Sequence, residues 1–379
     1  MEQLNSNNTS NDTEEWKSIP SMKSPRIQFG ATTVGEKIYV AGGCNDNNGY
    51  LSSAEVYDSK SKKWSSLPDM NEKRRGCIVI SVGKNIYVVG GHAAYGCLLS
   101  CEMFDPDTNK WTSIPDMKEA RSGCASCVIG DKLYVIGGIV YSIYGCLSSV
   151  NVFDTLTQKW SSLPNMTTER KGCAAVSVGN KIYVFGGRNI HKCLSTAEVY
   201  DITTRQWTQL PKMTEKRFRC AATAVGNKIF IIGGFDGWKD LSSCEMFDIS
   251  TNTWSYIPDM EQKRDGCQAV KIGTNIYAIG GHNGSAVISS LEVFELSMYS
   301  LYPVDDNYIT VQGGYRSPKL LENLCIDQIC RSLPNLDGEL PPGRPQCIIN
   351  AILESLANHG ALNATALKAF RHYEFDRLA

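Results

Sequence analysis

A pair of adjacent glycines recurs six times along the 379 residues, at Gly42-Gly43, Gly90-Gly91, Gly137-Gly138, Gly186-Gly187, Gly233-Gly234 and Gly280-Gly281. Six tryptophans keep the same rhythm: Trp16, Trp64, Trp111, Trp160, Trp207 and Trp254. Both series advance in steps of 48, 47, 49, 47 and 47. A fixed period of this length means an array of one supersecondary unit. Each unit also holds an aromatic–acid pair: Tyr57-Asp58, Phe104-Asp105, Phe153-Asp154, Tyr200-Asp201, Phe247-Asp248 and Phe294-Glu295. Between these landmarks, apolar and polar residues alternate in short runs broken by turn sequences such as Val-Gly-Asn-Lys. That pattern is strand chemistry, with four short strands per unit. The glycines do not make a phosphate loop. "KIYVFGGRN" runs on into another strand-like stretch, not into GxGxxG and a helix.

One four-stranded unit cannot bury both of its faces, but six arranged radially can, each sheet packing on the next. A glycine pair ending the second strand, an aromatic on the third and a tryptophan on the fourth resemble the kelch repeat over about 280 residues. The resemblance implies an all-β, six-bladed kelch β-propeller, in which each glycine pair lies where backbone passes close to a neighbour. Trp16 precedes the first glycine pair and no tryptophan follows Phe294. The last blade's fourth strand is therefore expected from "EEWKSIP" near the N-terminus, a closure that removes two open sheet edges. The expected organisation is a disordered lead-in over 1–13, the propeller over 14–296, a linker over 297–318 and a small α-helical C-terminal segment over 319–379.

Lysine plus arginine (38) nearly balance aspartate plus glutamate (39), so charge favours neither nucleic acid nor anionic lipid as a partner. No apolar run approaches the roughly 18 residues of a membrane span. "MEQLNSNNTSNDTEEW" lacks the apolar core of a signal peptide. The fifteen cysteines then read as reduced thiols and the location as cytoplasmic, with the nucleus as the other compartment. The five histidines, His92, His191, His282, His359 and His372, form no HxxxH or HExxH pattern. Cys124 and Cys127 make a lone CxxC, but residues three apart on a strand point to opposite faces. Neither an enzyme, nor a cofactor, nor a metal site is expected.

Binding residues are sought where the repeat varies. From tryptophan to the following methionine is always six residues, and from methionine to the second glycine always 21. Only the stretch from that glycine to the acidic position changes, running 12, 11, 13, 11, 11 and 11 residues. Freedom concentrated in one loop type marks one face of the propeller for a protein or peptide ligand. The candidates there are His92, Tyr141, Ile143, Tyr144, Arg188, Phe235, Trp238 and His282. An arginine also follows each methionine by four residues: Arg26, Arg74, Arg121, Arg170, Arg217 and Arg264. The kelch resemblance implies that arginines at this position bind acidic motifs near the pore mouth. Equally, a pair in each blade with the acidic position (Glu55, Glu102, Glu198, Glu245, Glu292) accounts for nearly all of them. Unit three breaks the pattern with Asn151, which singles out Arg121, or its neighbour Arg170, to take an acidic ligand group.

After Leu296 the repeat stops. Leu321, Leu324, Cys325 and Ile329 follow helical spacing in "LENLCIDQI", and this stretch resembles a BC box, the elongin C-docking helix of SOCS-box proteins. Leu320 departs from the small residue or proline usual before such a box. "LPP" at Leu340 to Pro342 is similar to the cullin-selecting part, with imperfect proline spacing. The combination implies the substrate-recognition subunit of a cullin-type ubiquitin ligase, with elongin C and a cullin as partners. The other reading is a kelch scaffold or actin-binding protein whose helical tail is structural or oligomerising.

Overall fold

The computed structural model describes residues 15–140 and 145–296. Tyr141, Ile143 and Tyr144 lie outside the described residues, as do the lead-in, the linker and the tail with Leu321, Leu324, Cys325 and Ile329. Six four-stranded antiparallel sheets make up the body. The first blade runs Gly30–Val34, Lys37–Ala41, Ala54–Asp58 and Lys63–Leu67, each strand beside the next. Blades two to five repeat this meander. The sixth joins Gln268–Ile272, Asn275–Ile279 and Leu291–Glu295 to Trp16–Ile19, with Trp16 opposite Phe294 and Ile19 opposite Leu291. The ring is therefore closed by the N-terminal strand, as expected. Among the described residues there is no helix.

The repeated residues explain why the sheets stack. Each second strand is buried almost throughout, as in "KIYVF" of Lys181–Phe185, because it is covered on both faces. Core clusters accordingly span neighbouring blades: Tyr39 and Ala41 of the first pack with Val79, Ile86 and Val88 of the second. Each tryptophan lies across the aromatic of the adjacent strand, with ring centroids 5.0 Å apart for Tyr200 and Trp207. Its indole N–H reaches back to a proline carbonyl of the preceding blade; Trp207 Nε1 donates to Pro164 O at 2.9 Å. In the closing strand, Trp16 does the same with Pro258. One side chain thus fills a blade and straps it to its neighbour.

The glycine pairs lie at the same seams. The second glycine of each pair donates its N–H to the carbonyl of the next blade's repeated arginine, as Gly187 does to Arg217 O at 2.7 Å. A Cβ on the first glycine would come within 2.8 Å of that same carbonyl in all six blades. Both glycines have positive φ, 59° and 87° at Gly186 and Gly187. Two constraints, left-handed backbone and a carbonyl in the way, exclude any side chain.

Candidate functional site

The six repeated arginines are among the largest fully buried side chains of the protein. Arg170 shows the usual arrangement. Its Nη1 donates to the carbonyls of Gly186 and Thr196 at 2.7 and 2.8 Å, while Nε and Nη2 both reach Glu198 Oε1 at 3.1 and 3.0 Å. Glu198 Oε2 accepts the Thr167 N–H at 2.8 Å, so the carboxylate also ties down the turn that carries the arginine. In Arg26–Glu55, Arg74–Glu102, Arg217–Glu245 and Arg264–Glu292 the arginine likewise meets the glutamate of its own blade, Arg26 through Nη2 alone with its buried Nε unpartnered and Arg217 through Nε. Arg121 is the exception anticipated from Asn151: its Nη2 turns to Glu119 in its own turn at 2.6 Å, and its buried Nε has no partner. The assignment of Arg121 or Arg170 to a ligand is nevertheless corrected. They are 1 % and 0 % exposed, enclosed beneath the loops, and hold blade to turn.

The next two positions in the chain behave differently. Immediately after the arginine stand Ile27, Arg75, Ser122, Lys171, Phe218 and Asp265, a different residue in each blade. Each pairs through its backbone with the first residue beyond the glycine pair: Ile27 with Cys44, Arg75 with His92, Ser122 with Ile139, Lys171 with Arg188, Phe218 with Phe235 and Asp265 with His282. These pairs form a two-tiered wall around the axis. At the second position come Gln28, Gly76, Gly123, Gly172, Arg219 and Gly266, all with φ between 54° and 64°. Their main chains form a closed circle. Gly76 N–H donates to Gln28 O, Gly123 to Gly76, Gly172 to Gly123, Arg219 to Gly172, Gly266 to Arg219 and Gln28 to Gly266, at 2.6 to 3.0 Å. Six glycines would suffice for such a circle; Gln28 and Arg219 occupy left-handed positions that cost a non-glycine residue something like 1 kcal/mol.

Above this circle opens a cavity of about 340 Å³, lined from all six blades and including Arg75, His92, Ile139, Lys171, Phe218 and Arg219. Below it the inner strands enclose a channel of about 240 Å³. Cys77, Cys124, Cys173 and Cys220 border both spaces. Burial pushes the thiols of Cys124 and Cys220 up to about 12, so this ring is an apolar lining and not a set of nucleophiles. Among the described residues no group of histidine, cysteine or carboxylate side chains is arranged to hold a metal.

Charge is unevenly spread in the mouth. Arg75 in blade two and Lys171 in blade four line the cavity on either side of Ser122 and Ile139 of blade three, and the exposed Arg188 is paired to Lys171 through the backbone. The Arg75 guanidinium lies 4.9 Å over the Tyr50 ring. Burial, and then the charge of Arg75, hold His92 below the usual imidazole range. On the opposite side the single acidic residue of the two tiers, Asp265, is paired with Arg219 at 2.5 Å.

The loop residues expected to bind fall into two groups. His92, Arg188, Phe235 and His282 belong to the wall of the mouth. Arg188 is exposed; Phe235 and His282 are half-buried, and His282 Nδ1 is 2.8 Å from Asp240 Oδ2. Trp238 instead stands at a loop tip, 94 % exposed, with Tyr95 as fully outward on the second blade and Ile190 exposed to 57 % on the fourth. Arg75, Lys171, Phe218, Arg219 and Asp265 were not singled out from the sequence. The signal was available: within an otherwise strict repeat, the position after the arginine never repeats.

The model of the KLHDC2/KLHL20/DRC7 Kelch-repeats domain matches residues 3–172 and 123–306. The chain belongs to this kelch-repeat family. Kelch propellers are protein-interaction modules, typically without catalysis, and this chain shares their six blades. Individual kelch units also match curated proteins. A segment of 44 residues is 54% identical to Kelch-like protein 41a of Danio rerio, and one of 46 residues is 48% identical to an F-box/kelch-repeat protein of Arabidopsis thaliana. Each segment is 12% of this chain, and they span only 7% and 12% of those two proteins. The solved structure of YjhT superposes with a TM-score of 0.64 at 15% identity, covering 73% of this chain and 97% of that one, a likeness of fold.

Proposed function

We propose that this kelch propeller is a non-catalytic receptor whose loop-face mouth binds an acidic segment of a protein partner. The observation that carries the reading is the charge of the wall: Arg75 and Lys171 line the cavity in blades two and four, the exposed Arg188 is paired to Lys171 through the backbone, and the one carboxylate of the two tiers, Asp265, is already paired. A carboxylate laid across blade three would meet two cationic sides, with the Ser122 hydroxyl between them. Apolar residues flanking it would find Ile139 below and the outward Trp238, Tyr95 and Ile190 at the rim. A cytoplasmic setting suits the twelve described cysteines, none of which is in a disulfide. The cullin-type ligase role with elongin C rests on the tail resemblance alone.

Two measurements test these layers separately. A rhodamine-labelled pentaglutamate peptide should bind the full chain at low salt, weaken as salt is raised, and lose at least ten-fold in affinity with Arg75→Glu plus Lys171→Glu, in line with charge reversal at a steered site. Equal binding by that variant would remove the mouth as the receptor. Separately, elongin B and C should co-purify with the full chain and be lost with Leu321→Ser plus Cys325→Ser. Failure of the wild-type chain to retain them would return the tail to the scaffold reading.

A further inference from the structure

Arg219 differs from the other cations of the mouth in being held back. Its Nη2 is 2.5 Å from Asp265 Oδ2, and Asp265 is buried while Arg219 keeps 29 % of its side chain exposed. This pair is not built like the five arginine–glutamate pairs beneath it. Each of those glutamates also accepts a turn N–H, as Glu55 does from Lys23 and Glu198 from Thr167, whereas the Asp265 carboxylate is met by Arg219 Nη2; the buried Arg219 Nε and the buried Asp265 Oδ1 have no hydrogen-bond partner. A buried carboxylate with one contact and an unsatisfied oxygen is poorly compensated for its lost hydration.

We infer that Asp265 is a proton-operated latch: its protonation releases Arg219 into the mouth, adding a cation and tightening the hold on an anionic ligand. The inference rests on the reading of the mouth as an acidic-segment receptor. The charged and titratable groups that face Asp265 are Arg219 from blade five, Asp240 at the end of the fifth variable loop, and His282, whose backbone pairs with Asp265 in both directions. Burial raises the Asp265 carboxyl to about 6, against the pull of Arg219 and with the help of Asp240. The latch therefore opens in a range that cells use, while glutamate carboxylates of a ligand stay largely charged.

The geometry allows the side chain to move alone. The Arg219 N–H and carbonyl are both fixed in the backbone circle, to Gly172 O and from Gly266 N–H, whichever way the guanidinium points. Gly172 leaves room for its stem: a Cβ there would lie 3.1 Å from Arg219 Cγ and closer still to the Phe218 ring. The guanidinium already lies 4.9 Å over that ring, which gives it a platform at the edge of the cavity once the carboxylate lets go.

The test uses the full chain and rhodamine-labelled pentaglutamate at fixed ionic strength. Wild-type affinity should rise about five-fold from pH 7.5 to pH 5.5, the size of one added, partly screened charge. Asp265→Asn should bind at pH 7.5 as tightly as wild type does at pH 5.5 and change little with pH. Arg219→Gln should bind weakly at both pH values, and His282→Gln should keep the rise. A full pH response in Asp265→Asn, or its loss in His282→Gln, would overturn the latch. Carboxyl ¹³C titration of the wild-type chain, assigned through Asp265→Asn, reads the latch without any ligand. A midpoint near 6 with a parallel shift of the Arg219 side-chain signals supports it, and a midpoint below 4.5 overturns it. If the peptide binds neither protein at either pH, the receptor reading fails and this titration alone decides the latch.

Discussion

Arg170 and Lys171 are neighbours in the chain, equal in charge, and opposite in every structural respect. Arg170 is enclosed, bonded to a carboxylate and two carbonyls, and has a counterpart in each blade. Lys171 lines the mouth, makes no ion pair among the described residues, and occupies a position where the six blades offer six different side chains. The contrast separates two jobs that a propeller must do within one turn of chain. The buried ring must be the same everywhere because each seam needs the same support. The wall must differ, because a ligand without six-fold symmetry cannot be recognised by six equal contacts.

The largest expected effect comes from breaking the buried member of this contrast. Glu198→Ala leaves the Arg170 charge enclosed with no carboxylate and frees the turn N–H at Thr167. Removing one partner of such a pair costs ~3–5 kcal/mol, so the urea midpoint of the chain should fall steeply. A midpoint within error of wild type would mean that the arginine ring is not what holds the seams.

Blade three sharpens the same comparison in the other direction. Here Asn151 stands in place of the carboxylate, and Arg121 Nη2 turns instead to Glu119, which is half-exposed. Asn151→Glu restores the usual acceptor, and it should stabilise the chain by about 1 kcal/mol, the net value of a charged hydrogen bond. Thermal unfolding measures it. Destabilisation would show instead that Glu119 and a third carboxylate cannot share the site.

The repeat made the scaffold readable before the structure. Spacing alone carried the six glycine pairs to their seams and placed Trp16 in the last blade, because a strict period requires the missing strand from somewhere. It also paired arginine with glutamate and found Asn151 as the exception. What spacing does not carry is depth. Arg121 and Arg75 stand in equivalent turns one position apart, and nothing in their order says that one guanidinium is sealed under the loops while the other lines the cavity. Depth is set by the turn's left-handed second residue, which directs the chain inward to the backbone circle. Glycine at that position in four blades was the visible trace of it. The Arg219–Asp265 pair was less legible still, since it joins two blades through residues 46 apart, one a departure from a mostly glycine column and the other in the column that never repeats.

The smallest expected effect is the most direct check on the contrast. Lys171→Ala changes the residue next to Arg170 yet removes only a partly exposed side chain at the mouth, whose backbone bonds to Arg188 remain. Surface changes of this kind alter stability by no more than ~0.5 kcal/mol. The same variant should weaken pentaglutamate binding measurably, because one of the two cationic sides of blade three is thinned. Stability lost on the scale of Glu198→Ala would show that the wall and the buried ring are one cooperative structure. Stability and binding both untouched would place the ligand elsewhere on the loop face, at the rim marked by Trp238 and Tyr95.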